Sequence, residues 1–298
     1  MQNTNCLLMV PPVDFAFNPQ TARDNHYQHQ PSQDQAAVRD LALAEYGAMV
    51  ARLREAGVRI LELDKDDQAV TPDAVFPNNW FMTRPDASLW ICPMKTANRN
   101  AERRVSRLQA LLAGAGFALG ETHWLDDGDK VLEGTGALVF DHEHRRVFAA
   151  LSERCDETLL RRFARAIGYQ VVAFATRSRH GGPVYHTNVV MALGQAQAVA
   201  CLEVVAEQDR DRVRVELGRH HKLVEISEAQ MEAFCGNMLE VLDGDGEPLW
   251  VLSQTAFDHL DAQQKASLGR LLAVAIPTIE SVGGGSARCM LAEIFLPG

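Results

Sequence analysis

A thiol, an imidazole and a carboxylate stand in three separate segments that are otherwise apolar, and each interruption needs a reason, because burying an unpaired polar side chain costs a few kcal/mol or so. Glu133 lies in Leu132-Glu-Gly-Thr-Gly136, between apolar residues and two glycines that permit close backbone approach. His186 lies in Tyr185-His-Thr-Asn188, which opens a run of Val, Val and Met, and Cys289 follows the glycine-rich turn Gly283-Gly-Gly-Ser-Ala-Arg288. A fourth polar interruption is Asp73-Ala-Val-Phe-Pro-Asn78-Asn79-Trp80. Together these residues could perform thiol nucleophilic catalysis: a thiolate attacks, an imidazole moves protons, and a carboxylate orients the imidazole and supports its charged form. The plain alternative makes Cys289 a core residue, His186 a satisfied buried imidazole, Glu133 a solvated turn residue and the glycines a bend.

The elements that must position these groups read as mixed α and β throughout, with no linker or composition shift. A helix is expected from Ser32–Gln33 to Ala56, stopped by Gly57, and a half-buried strand over Val58–Leu63. Paired strands follow at Ala74–Thr83 and Ser88–Pro93, then a helix from Asn98 to Ala113. The order recurs as Leu132–Asp141 with Arg145–Leu151 and a helix Asp156–Ile167 stopped by Gly168. It recurs again as Val184–Leu193 with Ala198–Val205 and a helix Glu207–Leu217. Asn237–Asp243 and Leu249–Thr255 pair around Asp-Gly-Asp-Gly, a helix spans Ala262–Ala273, and Ser286–Leu296 reads as a last strand. Each unit is strand, strand, helix, strand, and about five such units of roughly 60 residues fill the chain; element order alone carries the repeat.

Composition narrows the function classes. With 298 residues, 47% of them hydrophobic and 23% charged, the chain is neither disordered nor low in complexity. The 29 Lys and Arg against 39 Asp and Glu give a net charge of −10, which disfavours nucleic acid and anionic membrane surfaces as partners. No apolar run is long enough to span a bilayer, and a cytoplasmic location is expected. The six cysteines lie far apart without a CxxC pair, so neither a disulfide scaffold nor a zinc ribbon fits.

The four segments, with Met9-Val-Pro-Pro, Leu151-Ser-Glu-Arg154 and Gly236-Asn-Met238, resemble the guanidino-group-modifying (pentein) superfamily of arginine deiminases, dimethylarginine dimethylaminohydrolases and amidinotransferases. The bacterial citrulline-utilisation hydrolase branch is the most similar, and the resemblance covers nearly the whole chain. It implies one catalytic domain over 1–298, an α/β five-fold pseudo-symmetric propeller of ββαβ units around a central pocket. Cys289 would match the nucleophile, His186 the general acid and base, and Glu133 the carboxylate that holds the His. Asp73 would hold the substrate amino group, and Arg99 and Arg154 would take its carboxylate, a task that suits a guanidinium fork. For Arg99 a solvated surface side chain is an equal alternative.

Where relatives grip a guanidinium with two carboxylates, this sequence has Asn79, beside Asn78, and Asn188; an Asp of the usual Gly-Gly-Asp is here Gly136. A guanidinium carries only donors and a positive charge, and desolvating it without a counter-charge costs several kcal/mol or so. A ureido group is neutral and mixes an acceptor with donors, as an amide side chain does. The expected substrate is therefore citrulline, cleaved to ornithine, ammonia and carbon dioxide without metal or organic cofactor. The alternatives are a guanidino substrate held by other carboxylates such as Asp126, Asp127 or Glu293, and a non-catalytic ring acting as a binding module. The partner is a small amino acid, and a homo-oligomer is left open.

Overall fold

The structure is a computed structural model that describes residues 1–65 and 69–298. Its strands form five three-stranded sheets, each made of an antiparallel pair to which a third strand is added in parallel. In one, Val139–Asp141 pairs with Arg146–Ala150, which pairs in parallel with Gln170–Phe174. The parallel connection is the helix Glu157–Ile167. Asp156 accepts from the Leu159 N–H at its start, Gly168 ends it at φ +75°, and Leu159, Leu160, Phe163 and Ala164 form its buried face. The same unit recurs with Phe81–Thr83, Leu89–Ile91 and Thr122–Trp124, with Met191–Leu193, Gln197–Ala200 and Lys222–Glu225, and with Leu239–Leu242, Pro248–Ser253 and Leu271–Val274.

The fifth sheet closes the ring. Cys6–Met9 lies between Arg59–Glu62, reached through the helix Gln35–Glu55, and Ala292–Glu293 from the other end of the sequence. The pseudo-symmetric ββαβ ring expected from the sequence is the observed architecture.

The elements differ from expectation most where the chemistry sits. Four segments read as strand begin instead with a single helical turn: Pro77–Asn79 before Phe81–Thr83, Gly134–Ala137 before Val139–Asp141, Thr187–Val190 before Met191–Leu193, and Ala287–Met290 before Ala292–Glu293. Every residue of these turns but Thr135 is buried. Uniform burial leaves no helical periodicity to read, so the apolar run looks like a strand. The helix expected over Asn98–Ala113 divides into Ala97–Asn100 and Val105–Gly114. That expected over Ala262–Ala273 stops at Leu268, where Gly269 takes φ +84° and frees Leu271–Val274 to join its sheet. Among the described residues no helix is long and apolar enough to cross a membrane.

Candidate active site

The buried turns pack against one another at the middle of the ring and carry the chemistry-bearing side chains inward. Glu133 and His186 each occupy the residue just before a turn, and the Glu133 Oε2 to His186 Nε2 distance is 2.8 Å. Glu133 Oε1 accepts from the Lys95 N–H at 2.9 Å, and the Arg154 guanidinium lies 3.3 Å from Oε2. That guanidinium, with the His186 contact, holds the Glu133 carboxyl far below the usual carboxylate range in spite of its burial. For His186, burial outweighs the support from Glu133, and the imidazole is pushed below its ordinary value. Because Nε2 is committed to Glu133, Nδ1 is the nitrogen left to work on a substrate.

Cys289 is buried within the turn Ala287–Met290, and two amides converge on its sulfur. Asn237 Nδ2 lies 3.3 Å and Asn188 Nδ2 3.6 Å from Sγ. The Asn237 and Asn188 Oδ1 atoms lie 3.6 and 3.9 Å from the same sulfur, so both amides flank it edge-on. Asn188, expected to meet the substrate's ureido group, is thus placed at the nucleophile. Asn237 was missed as a site residue, although Gly236-Asn-Met238 was among the segments carrying the resemblance.

Cys289, His186, Asp73, Asn79, Arg99 and Arg154 line one small cavity, with room for roughly a single water beside the side chains. Asn79 Oδ1 and Asp73 Oδ1 are buried there with no hydrogen-bond partner among the described residues. The other Asp73 oxygen accepts from Asn18 at 2.7 Å and Thr21 at 2.9 Å. Gly136 makes room for this arrangement: a Cβ there would stand 2.2 Å from Asn79 Oδ1, 2.7 Å from His186 Cε1 and 2.8 Å from His186 Nδ1. The loss of a side chain at 136 and the amide at 79 are therefore one steric fact.

Two expectations need correction, and a third residue, Arg154, is found already paired. Asn78 does not line the cavity; its amide is enclosed in protein, and its backbone carbonyl accepts from the Thr135 hydroxyl at 3.1 Å. Arg99 is neither a surface residue nor a free fork: it is buried, bonds Glu102 at 2.8 and 3.0 Å, and reaches the Phe76 carbonyl at 2.9 Å. Arg154 is also engaged, clasping Asp24 through Nε at 2.9 Å and Nη2 at 2.8 Å. A buried guanidinium requires a counter-charge, and in this closed state the protein supplies it.

Asp24 belongs to a strap, Asn18 to His29, that covers the cavity. Asn25 donates to the Gly284 carbonyl at 3.0 Å, Gln28 to Gly283 at 2.9 Å, and His29 N–H to Ser281 at 2.7 Å. The glycine-rich turn is shaped to receive it. Gly284 has φ +63°, and a Cβ there would come within 2.5 Å of Gln28. The Gly284 N–H, a candidate oxyanion donor, is bonded to the Glu280 carbonyl at 2.9 Å.

This architecture has relatives. Residues 11–296 match the family described as N,N dimethylarginine dimethylhydrolase, eukaryotic. The chain belongs to this family, and with it to the guanidino-group-modifying pentein superfamily. No curated protein matches it. Among solved structures it is similar to ArgZ, an arginine dihydrolase from the ornithine-ammonia cycle in cyanobacteria, with a TM-score of 0.77 and 15% identity over 98% of this chain and 41% of that one. Against the substrate-bound N-terminal domain of ArgZ the TM-score is 0.72 at 16% identity, covering 97% of each chain. A dimethylarginine dimethylaminohydrolase adduct with S-methyl-L-thiocitrulline gives 0.67 at 14% identity, covering 99% of this chain and 100% of that one. These likenesses establish the fold, and this family member spans about two-fifths of full-length ArgZ.

Proposed function

We propose that residues 1–298 form one catalytic unit that hydrolyses the ureido carbon of citrulline, with Cys289 as nucleophile, His186 as proton carrier and Glu133 as its orienting carboxylate. The observation that carries this reading is Asn79, a cavity-lining amide whose carbonyl oxygen has no hydrogen-bond partner among the described residues and stands across the space above Gly136 from the working nitrogen of His186. A neutral ureido –NH2 can donate to that oxygen, and no counter-charge is needed.

In the first half-reaction His186 Nδ1 takes the Cys289 proton as Sγ attacks the ureido carbon. The resulting imidazolium, supported by Glu133, protonates the departing δ-nitrogen, the C–N bond breaks, and ornithine leaves. Cys289 then carries S–C(=O)–NH2. Neutral His186 deprotonates a water, which attacks the same carbon; the C–S bond breaks, and the carbamate released decomposes to ammonia and carbon dioxide. Asn188 and Asn237 flank the sulfur both as attacking and as leaving group. No metal or organic cofactor enters these steps.

A second reading, arginine or a methylated arginine as substrate, is favoured by one observation, the unpartnered Asp73 Oδ1 in the same cavity, which offers a carboxylate to a guanidinium. The arginine dihydrolase named among the similar structures is consistent with it. Incubation of the pure protein with citrulline, arginine and methylarginines, with mass-spectrometric identification of products, separates the two. Ornithine from citrulline is expected; citrulline left untouched while arginine is deiminated would refute the ureido reading. Loss of iodoacetamide or haloacetamidine labelling in Cys289→Ser tests the nucleophile and excludes a non-catalytic binding ring.

A further inference from the structure

Outside the catalytic cavity, two imidazoles and a carboxylate from three different segments meet at the rim of a vestibule of about 670 Å³ that is lined by His26, His180, Asp24, Lys95 and Tyr185. His26 belongs to the strap, His180 to the loop Arg177–Pro183, and Glu232 to the short helix Glu228–Glu232. The two rings stack with centroids 4.0 Å apart, and both present Nε2 to the same carboxylate. His26 Nε2 lies 3.6 Å from Oε1, and His180 Nε2 3.4 Å from Oε2.

These separations are long for N–H···O hydrogen bonds, whose usual range is about 2.7–3.2 Å. Each imidazole faces a different oxygen of Glu232, at a separation near the roughly 3.3 Å that bonds of about 2.0–2.1 Å at a tetrahedral angle set between neighbouring donors of one ion. All three ligand atoms lie within 4.8 Å of one another. His26 Nε2, moreover, is buried without a hydrogen-bond partner among the described residues. Two imidazoles and a carboxylate are a donor set that suits an ion of the zinc class.

We propose that His26, His180 and Glu232 bind a divalent transition-metal ion of the zinc class, which ties the strap to the loop Arg177–Pro183 and holds it over the catalytic cavity. The ion takes no part in the C–N chemistry. Its role is to fasten a segment whose Asp24 and Asn25 already reach Arg154 and the glycine-rich turn.

The test uses Zn2+ and Co2+ with the full chain in wild-type and Cys289→Ser forms, so that a thiolate-bound ion is recognised and the result does not depend on turnover. One equivalent of Zn2+ is expected to bind in calorimetry in both forms. Co2+ should give d–d absorption without the intense thiolate charge-transfer band. His180→Ala, at a half-exposed position, and Glu232→Gln should each weaken binding by roughly 100-fold, at or above the top of the 10–100-fold cost of losing an outer-sphere partner. Zn2+ should also slow alkylation of Cys289 in the wild type but not in His180→Ala. Absence of binding, equal affinity in both variants, loss of binding in Cys289→Ser alone, or alkylation slowed equally with and without His180 would each overturn the proposal.

Discussion

Placing a methyl group at 136 is the smallest change that tests the geometry of the cavity. In Gly136→Ala the new Cβ would lie 2.2 Å from Asn79 Oδ1 and under 3 Å from two atoms of the His186 ring. An ordinary contact is roughly 3.5 Å, so the amide must move by about 1.3 Å and the ring by about 0.8 Å. Neither is a free chain end: Asn79 is fixed in its turn, and His186 is tied to Glu133 at 2.8 Å. Misplacing a reacting group by 1 Å or so costs on the order of 100-fold in rate, and overpacking a core costs about 1–3 kcal/mol. Gly136→Ala is thus expected to lose on the order of 100-fold in kcat/KM for citrulline while remaining folded. Steady-state ornithine release and urea denaturation measure the two effects. Adding Asn79→Ala should recover most of the stability and none of the activity. A Gly136→Ala enzyme within about threefold of wild-type kcat/KM would refute both the role of Asn79 and the identity of Nδ1 as the working nitrogen.

Glu133→Gln should reduce kcat by about 10²–10⁴-fold and cost about 3–5 kcal/mol, because Arg154 loses one of its buried partners. Since Glu133 is a group that raises the His186 pKa, the acid limb of kcat/KM, already below the ordinary imidazole value of roughly 6.5, should move lower still in this variant. The depressed carboxyl also makes a linkage prediction. Its stabilisation is complete above the unfolded carboxyl value, roughly 4.3, and is lost as pH falls below it, so acid unfolding should be shallower for Glu133→Gln in a pH series of chemical melts. Asn79→Asp should weaken citrulline turnover and admit arginine, read by product analysis of competing substrates. Asn237→Ala, which removes an amide 3.3 Å from Sγ, should change the rate of iodoacetamide alkylation of Cys289 severalfold, read as labelling kinetics against the wild type.

The ring was legible because hairpin turns and helix stops recur in a fixed order. Asp243-Gly-Asp-Gly and Gly168 mark their elements whatever the tertiary context. The dyad was legible because Glu133 and His186 are polar residues in apolar runs. What escaped was everything set by contacts across the ring. Asp24 occupies unremarkable sequence, Asn237 lies in a segment that carries the resemblance without a role attached, and only the strap and the meeting of two turns bring them to Arg154 and Cys289. A lone sequence cannot show that Glu102 neutralises Arg99, or that Asp24 holds the fork of Arg154. The four site turns were read as strands for a related reason, since a turn buried on all sides has no polar face to betray its period.

The clasp of Asp24 on Arg154 links the small cavity to catalysis. Thr21, Asn25 and Gln28 of the strap line the cavity, and if the strap lifts to admit citrulline it separates Asp24 from a guanidinium that is itself buried. A substrate carboxylate has the same bidentate shape as Asp24 and can take its place on Nε and Nη2, so that the charge of Arg154 stays matched in both states. On this logic Asp24 is a competitor for the substrate. Asp24→Asn, which keeps the shape and removes the charge, should lower KM for citrulline severalfold with kcat little changed. A positioning role for Asp24 would give the opposite split, with kcat reduced and KM raised, and steady-state kinetics on the two proteins decides between them.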